Sequence, residues 1–152
     1  MIPVAVALGS NLGDRAAHLA FAVARLEGLL SGLRHSTWHD TAAVGPGDQP
    51  RYLNGAIVGG TTLGARALLD ALLAIEAARG RERPWPDAPR TLDLDLIFYG
   101  TSVIDEPGLQ VPHPRFRDRR FVLGPLAEIA PEWRDPETGR TVAELLEALP
   151  AA

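Results

Sequence analysis

Asp93 and Asp95 stand two residues apart in Thr91-Leu92-Asp93-Leu94-Asp95-Leu96-Ile97-Phe98-Tyr99. Successive side chains of a strand point to opposite faces, so the two carboxylates leave one face while Leu94 packs behind them. Such a pair suits Mg²⁺, which takes one or two protein carboxylates and completes its shell with water and substrate phosphates. Two ions sharing the pair would clamp a phosphoryl transfer. Alternating Asp is also ordinary on the wet side of an antiparallel strand, so the spacing alone does not decide.

The neighbouring residues favour the chemical reading. Arg81, Arg83 and Arg90 precede the pair, and guanidinium groups match phosphate oxygens in charge and shape. His113 follows between Pro112 and Pro114, although a lone histidine is more often structural. Tyr52 and Asn54 share a face of another extended run, placing a stacking ring beside an amide that both donates and accepts. A flat heterocycle would suit them.

Composition narrows the classes. A chain of 152 residues fits one domain, 1–152, and buries a core without staples. With no cysteine, disulfides, thiolate metal sites and thiol nucleophiles are excluded. The apolar start, Met1 to Leu8, is too short and lacks a signal peptide's basic flank, and no run reaches membrane-spanning length. A cytoplasmic monomer with no membrane partner is expected. The net charge of -4 argues against nucleic acid, whereas the arginine clusters at Arg79 to Arg90 and Arg115 to Arg120 point to a small polyanion.

Local patterns place these groups on strands, helices and turns. Ile2 to Leu8 is a β-branched, apolar strand closed by Gly9-Ser10-Asn11-Leu12-Gly13. Leu19, Val23, Leu26 and Leu30 mark the buried stripe of a helix from Asp14 to Leu30. Strands are expected over Ser36 to Thr41 and Tyr52 to Thr62, and a second helix over Ala65 to Ala78. Prolines at 84, 86 and 89 make Arg79 to Pro89 a loop, expected to close as a lid over bound substrates. Leu92, Leu94, Leu96 and Phe98 should share one face of the next strand. Phe121 to Ile129 reads as a short helix, and the capping box at Thr141 to Glu144 opens a last one to Leu149. The order predicts an α+β ferredoxin-like sandwich, βαββαβ, with helices on one face of a mainly antiparallel sheet and extra C-terminal elements. That architecture serves enzymes, ligand sensors and RNA-binding modules alike.

Five longer motifs extend the site: ALGSNLGD (Ala7 to Asp14), VGPGDQPRYLNGA (Val44 to Ala56), IEAARGR (Ile75 to Arg81), APRTLDLDLIFYG (Ala88 to Gly100) and VPHPRFRDRRFVLGPLAEIAPEW (Val111 to Trp133). In these, and in their order along nearly the whole chain, the sequence resembles the 6-hydroxymethyl-7,8-dihydropterin pyrophosphokinases of folate synthesis. The resemblance implies transfer of a diphosphate from ATP to the hydroxymethyl group of a reduced pterin. It implies that Asp93 and Asp95 hold two Mg²⁺ ions, that Arg81 and Arg90 contact substrate or phosphates, and that Glu76, His113 and Arg119 serve ATP. Tyr52 and Phe121 would flank the pterin, with Asn54 and the backbone around Thr41 and Val44 at its edge. The chain departs from the family's usual Arg-Trp-Gly-Pro-Arg run: its loop tryptophan is Trp85, with Asp87 three residues before Arg90, and Pro114 follows His113 where some members carry Tyr.

Two other classes compete. A nucleotidyltransferase would use Gly9-Ser10 with the acidic pair, but there the two normally lie close in sequence. A ferredoxin-like sensor would need no paired aspartates, and the RNP aromatic pattern of RNA binders is missing.

Overall fold

The computed structural model describes residues 1–42, 50–80 and 91–150. The first strand, β1 (Ile2–Ser10), runs through the centre of the sheet and is almost wholly buried from Val4 onward. Helix α1 (Arg15–Glu27) begins where expected: the Asp14 carboxylate caps it by accepting from the Ala17 amide at 3.1 Å. It ends earlier than its apolar stripe suggests. Gly28 closes it, and Leu30 is buried as the chain turns into the sheet rather than as a helical residue.

Of the strand expected over Ser36 to Thr41 only the end forms, as β3 (His39–Thr41); a strand that was not expected, β2 (Ser31–His35), precedes it, and both run antiparallel to β4 (Tyr52–Thr61). The break lies at Ser36. Its amide donates to Ala56 O at 2.9 Å, but its hydroxyl, not its carbonyl, accepts from the Ala56 amide at 3.0 Å. The ladder is thus satisfied by a side chain, and the backbone is free to turn. Trp38 then lies flat over Gly55, where any Cβ would overlap its ring.

Helix α2 (Ala65–Ala78) agrees with its predicted bounds, and β5 (Asp93–Tyr99) follows. The sheet order is β2-β4-β1-β5, antiparallel throughout, with β3 also on β4. Against one face, Leu19 and Leu26 of α1 and Leu68 and Leu72 of α2 pack on Val4, Val6, Leu94 and Leu96. Helices α1 and α2 thus share one face, and the C-terminal elements added to the core take the other. The other face is also apolar, through Ala5, Ala56, Val58 and Ile97, and must be covered. Helices α3 (Arg120–Ile129) and α4 (Val142–Glu147) cover it with Val122, Leu123, Leu126, Val142 and Leu145.

A bulge corrects the expected alternation of β5. Val6 faces Leu96 and Ala5 faces Phe98, so Ile97 is an extra residue. Phe98 therefore joins Ile97 on the α3 side and meets Phe116 edge-on at 5.1 Å, while Tyr99 turns to the α1–α2 side. Asp93 and Asp95 precede the bulge and keep their phase. A hairpin absent from the sequence reading, β6 (Ile104–Glu106) and β7 (Leu109–Val111), follows β5.

Between β7 and α3 a 3₁₀ turn, Phe116–Asp118, carries the second arginine cluster. Asp135, fully buried, locks it by accepting from Arg117 Nε at 2.6 Å and Nη2 at 2.8 Å. The capping box of α4 is formed as expected, with Glu144 N to Thr141 Oγ1 at 3.1 Å and Thr141 N to Glu144 Oε1 at 2.9 Å. No helix among the described residues is long and apolar enough to cross a membrane.

Candidate active site

The α3 side of the sheet is only partly covered, because β1 presents small residues there. Register places Ala7 between Ala56 and Asp95, and Gly9 between Asn54 and Asp93. These two positions form the floor of a cavity of about 290 Å³. A side chain at Gly9 would be tight: a Cβ would lie 3.0 Å from Asn54 Oδ1 and 3.4 Å from Tyr52 Cδ1, so Asn54 would have to shift by a few tenths of an ångström.

Asp93 and Asp95 line one wall, half-buried on the rigid strand β5. Tyr52 and Asn54 on β4 line the opposite wall with Thr41 on β3. Asn54 is 5% exposed, and its Nδ2 donates to Thr41 Oγ1 at 2.5 Å, which holds its amide plane against the floor. Phe121 and Val122, from the first turn of α3, form a third side. Arg119 also lines the cavity, its guanidinium 5.5 Å from the centre of the Phe121 ring. The structure thus brings Thr41, Tyr52, Asn54, Asp93, Asp95, Arg119 and Phe121 around one volume.

Glu76 and His113 lie elsewhere, along the edge of β5 that faces away from β1. Glu76 is 2% exposed on α2, and its Oε2 accepts from the Leu94 amide at 2.6 Å. The His113 amide donates to Ile97 O at 3.1 Å. Burial holds the His113 ring below the usual histidine range; Arg119 and Arg115 push the same way, and Asp93 opposes them. Val44, Arg81 and Arg90, and the expected lid apart from Arg79 and Gly80, lie outside the described residues. Arg79 caps the end of α2 instead, donating from Nε to His18 Nδ1 at 2.8 Å and lying 4.7 Å from the Phe21 ring centre.

Gly9, Arg115 and Asp118, to which the family resemblance gave no individual role, also line the cavity. Arg115 and Asp118 belong to the arginine-rich stretch already singled out. Gly9 is recognisable only once the register of β1 is known.

A model of the 7,8-dihydro-6-hydroxymethylpterin-pyrophosphokinase family matches residues 5–131. The chain belongs to this family. Relatives within it include a 2-amino-4-hydroxy-6-hydroxymethyldihydropteridine pyrophosphokinase of Synechocystis, 46% identical over 93% of this chain and 73% of its own length. Its namesake from Pseudomonas aeruginosa is 44% identical over 97% of this chain and 91% of its own. The family's fold extends to much more distant sequences. The crystal structure of wild-type Plasmodium falciparum HPPK-DHPS superposes with a TM-score of 0.76 at 14% identity, over 96% of this chain and 44% of that longer one.

Among the described residues no group of three or more His, Cys, Asp or Glu side chains is arranged to hold a metal. Asp93 and Asp95 remain as hard oxygen donors facing an open cavity. That donor set fits an ion which takes most of its ligands from water and phosphate, as Mg²⁺ does.

Proposed function

We propose that this chain performs its family's reaction in the cavity between β4, β5 and α3. It transfers the pyrophosphoryl group of ATP, its co-substrate, to the hydroxymethyl oxygen of 6-hydroxymethyl-7,8-dihydropterin, a step of folate biosynthesis. The observation that carries the reading is the shared volume: a carboxylate pair on one wall and a ring-binding set, Tyr52, Asn54 and Phe121, on the others.

Tyr52 and Phe121 flank the pterin, and Asn54, with the backbone around Thr41 and Val44, satisfies its polar edge. Asp93 and Asp95 would hold two Mg²⁺ ions, which supply charge neutralisation to the phosphates when bound. ATP lies toward the outer edge of β5, near Glu76 and His113, with Arg119 between the two substrates. Arg81 and Arg90 contact the phosphates. The hydroxymethyl oxygen attacks the β-phosphorus, the bond to the α-phosphate oxygen breaks, and AMP leaves. Such a transfer needs positioning and charge stabilisation from the protein rather than a nucleophile, which agrees with the residues at hand.

The order β5-β1-β4-β2, antiparallel with α1 and α2 on one face, supports a ferredoxin-like sandwich to which the hairpin, α3 and α4 are added. One domain over 1–152, a monomeric state, a cytoplasmic location and no nucleic-acid partner complete the proposal; the net charge of -4 supports the last.

The test is to incubate the protein with ATP, Mg²⁺ and hydroxymethyldihydropterin and identify both products. AMP with pterin diphosphate is the expected result. Release of pyrophosphate would indicate a nucleotidyltransferase, and intact ATP a sensor. Tyr52→Ala and Phe121→Ala should each weaken pterin binding by about 1 kcal/mol beyond the area lost, and ATP binding much less.

A further inference from the structure

Glu128 lies seven residues beyond Phe121 on α3, two helical turns away, so the two side chains leave the same face of the helix. That face meets β3. Glu128 Oε2 accepts from the Thr37 amide at 2.7 Å, and Oε1 accepts from the Thr37 hydroxyl at 2.7 Å. The same Oε1 lies 2.9 Å from His39 Nε2. The His39 ring rests over Gly124, where a Cβ would be 3.7 Å from Nδ1. Two residues further on the same strand face, Thr41 holds Asn54 in the cavity.

The elements joined at Glu128 are therefore those that carry two sides of the cavity, Phe121 on α3 and Thr41 with its β4 neighbours Tyr52 and Asn54. Among the described residues strand β3 spans three positions and pairs with β4, so its distance from α3 is set by bonds outside the sheet. Hydrogen bonds to an ionised carboxylate are short and strong, and this one stays ionised: His39, then Thr37, hold its pKa down to about 2.

We infer that Glu128 is a positioning residue for the pterin: by gripping Thr37 and His39 it sets the gap between Phe121 and the Tyr52–Thr41 side. Glu128 does not itself line the cavity. A planar ring held between two walls is sensitive to their spacing, and a shift of about 1 Å in a bound substrate can cost up to roughly a hundredfold in rate. The inference rests on the assignment of Tyr52 and Phe121 to the pterin.

The experiment compares steady-state kinetics of Glu128→Ala, Glu128→Gln, His39→Ala and Thr37→Ala with those of Tyr52→Ala and Phe121→Ala, folding being checked by circular dichroism. Glu128→Ala should raise KM for the pterin about fivefold to tenfold, the effect of one misplaced ring contact, while KM for ATP stays within about twofold. Glu128→Gln keeps an oxygen for Thr37 and should recover most of the loss. A merely structural clasp would lower the melting temperature without splitting the two KM values. Unchanged pterin KM in folded Glu128→Ala, or equal changes for both substrates, overturns the inference. Should Glu128→Ala fail to fold, His39→Ala and Thr37→Ala must still raise pterin KM selectively, and their failure to do so overturns it equally. Loss of pterin affinity in Tyr52→Ala and Phe121→Ala with none in the clamp variants rejects the clamp alone. No effect in any of them rejects the wall assignment and the clamp with it.

Discussion

The Glu76 carboxylate accepts the amide hydrogen of Leu94, at 2.6 Å, from the side of the sheet opposite the cavity. Leu94 is the residue between Asp93 and Asp95, and among the described residues β5 is the edge strand of the sheet, so this bond occupies a donor that a further strand would otherwise take. Glu76 thereby holds the backbone from which both aspartates project. Glu76→Ala should destabilise the protein by roughly 1–3 kcal/mol, the cost of leaving a buried amide unsatisfied, and lower turnover as well. Glu76→Gln, which keeps an acceptor oxygen, should lose less of both. Urea unfolding beside a turnover assay checks this; equal losses in the two variants would assign the effect to charge instead.

Asp93→Asn and Asp95→Asn should each abolish turnover while leaving the protein folded, since both side chains project into the cavity rather than into the core. Isothermal titration with Mg²⁺ and an ATP analogue should show weakened metal binding in both. Near-native turnover in either variant at saturating Mg²⁺ would remove that aspartate from the metal site.

Gly9→Ala tests the floor. Its Cβ would press on Asn54 Oδ1 at 3.0 Å, and Asn54 is fixed by Thr41. Displacement of the amide should raise KM for the pterin severalfold, with overpacking costing about 1–3 kcal/mol in stability. Ala7 tolerates its methyl two residues earlier, so a harmless Gly9→Ala would show that the cavity floor is deeper than the strand.

His18 provides a pH test. Burial first, then Arg79, holds its pKa below 6.5, because neutral Nδ1 accepts from Arg79 Nε. With the folded pKa depressed, the stabilisation is complete above pH 6.5 and is lost as pH falls below it, where the unfolded chain takes up a proton more readily. Wild-type stability should therefore drop between pH 7.5 and 5.5 relative to His18→Asn, whose amide oxygen accepts from Arg79 without titrating. Parallel pH curves for the two proteins would show that this contact contributes nothing.

The chemistry-bearing pairs were legible because strand periodicity is local. Asp93 with Asp95, and Tyr52 with Asn54, share faces wherever the chain is extended, and both strands formed. Helices α1 and α2 were equally legible from their buried stripes, and the last from its capping box. What sequence could not place depends on contacts between distant residues. The break between β2 and β3 hangs on the Ser36 hydroxyl meeting Ala56, and the bulge at Ile97 on the register of β5 against β1. The same register decides that Gly9 and Ala7 become the floor between the Asp93–Asp95 pair and the Tyr52–Asn54 pair. Glu76, expected in the nucleotide site from its motif, is seen to support Leu94 from behind only when α2 is packed on the sheet. Residue types and two-residue spacing, then, determined which groups could act; long-range pairing decided that they face one another, because register and packing are properties of two segments at once.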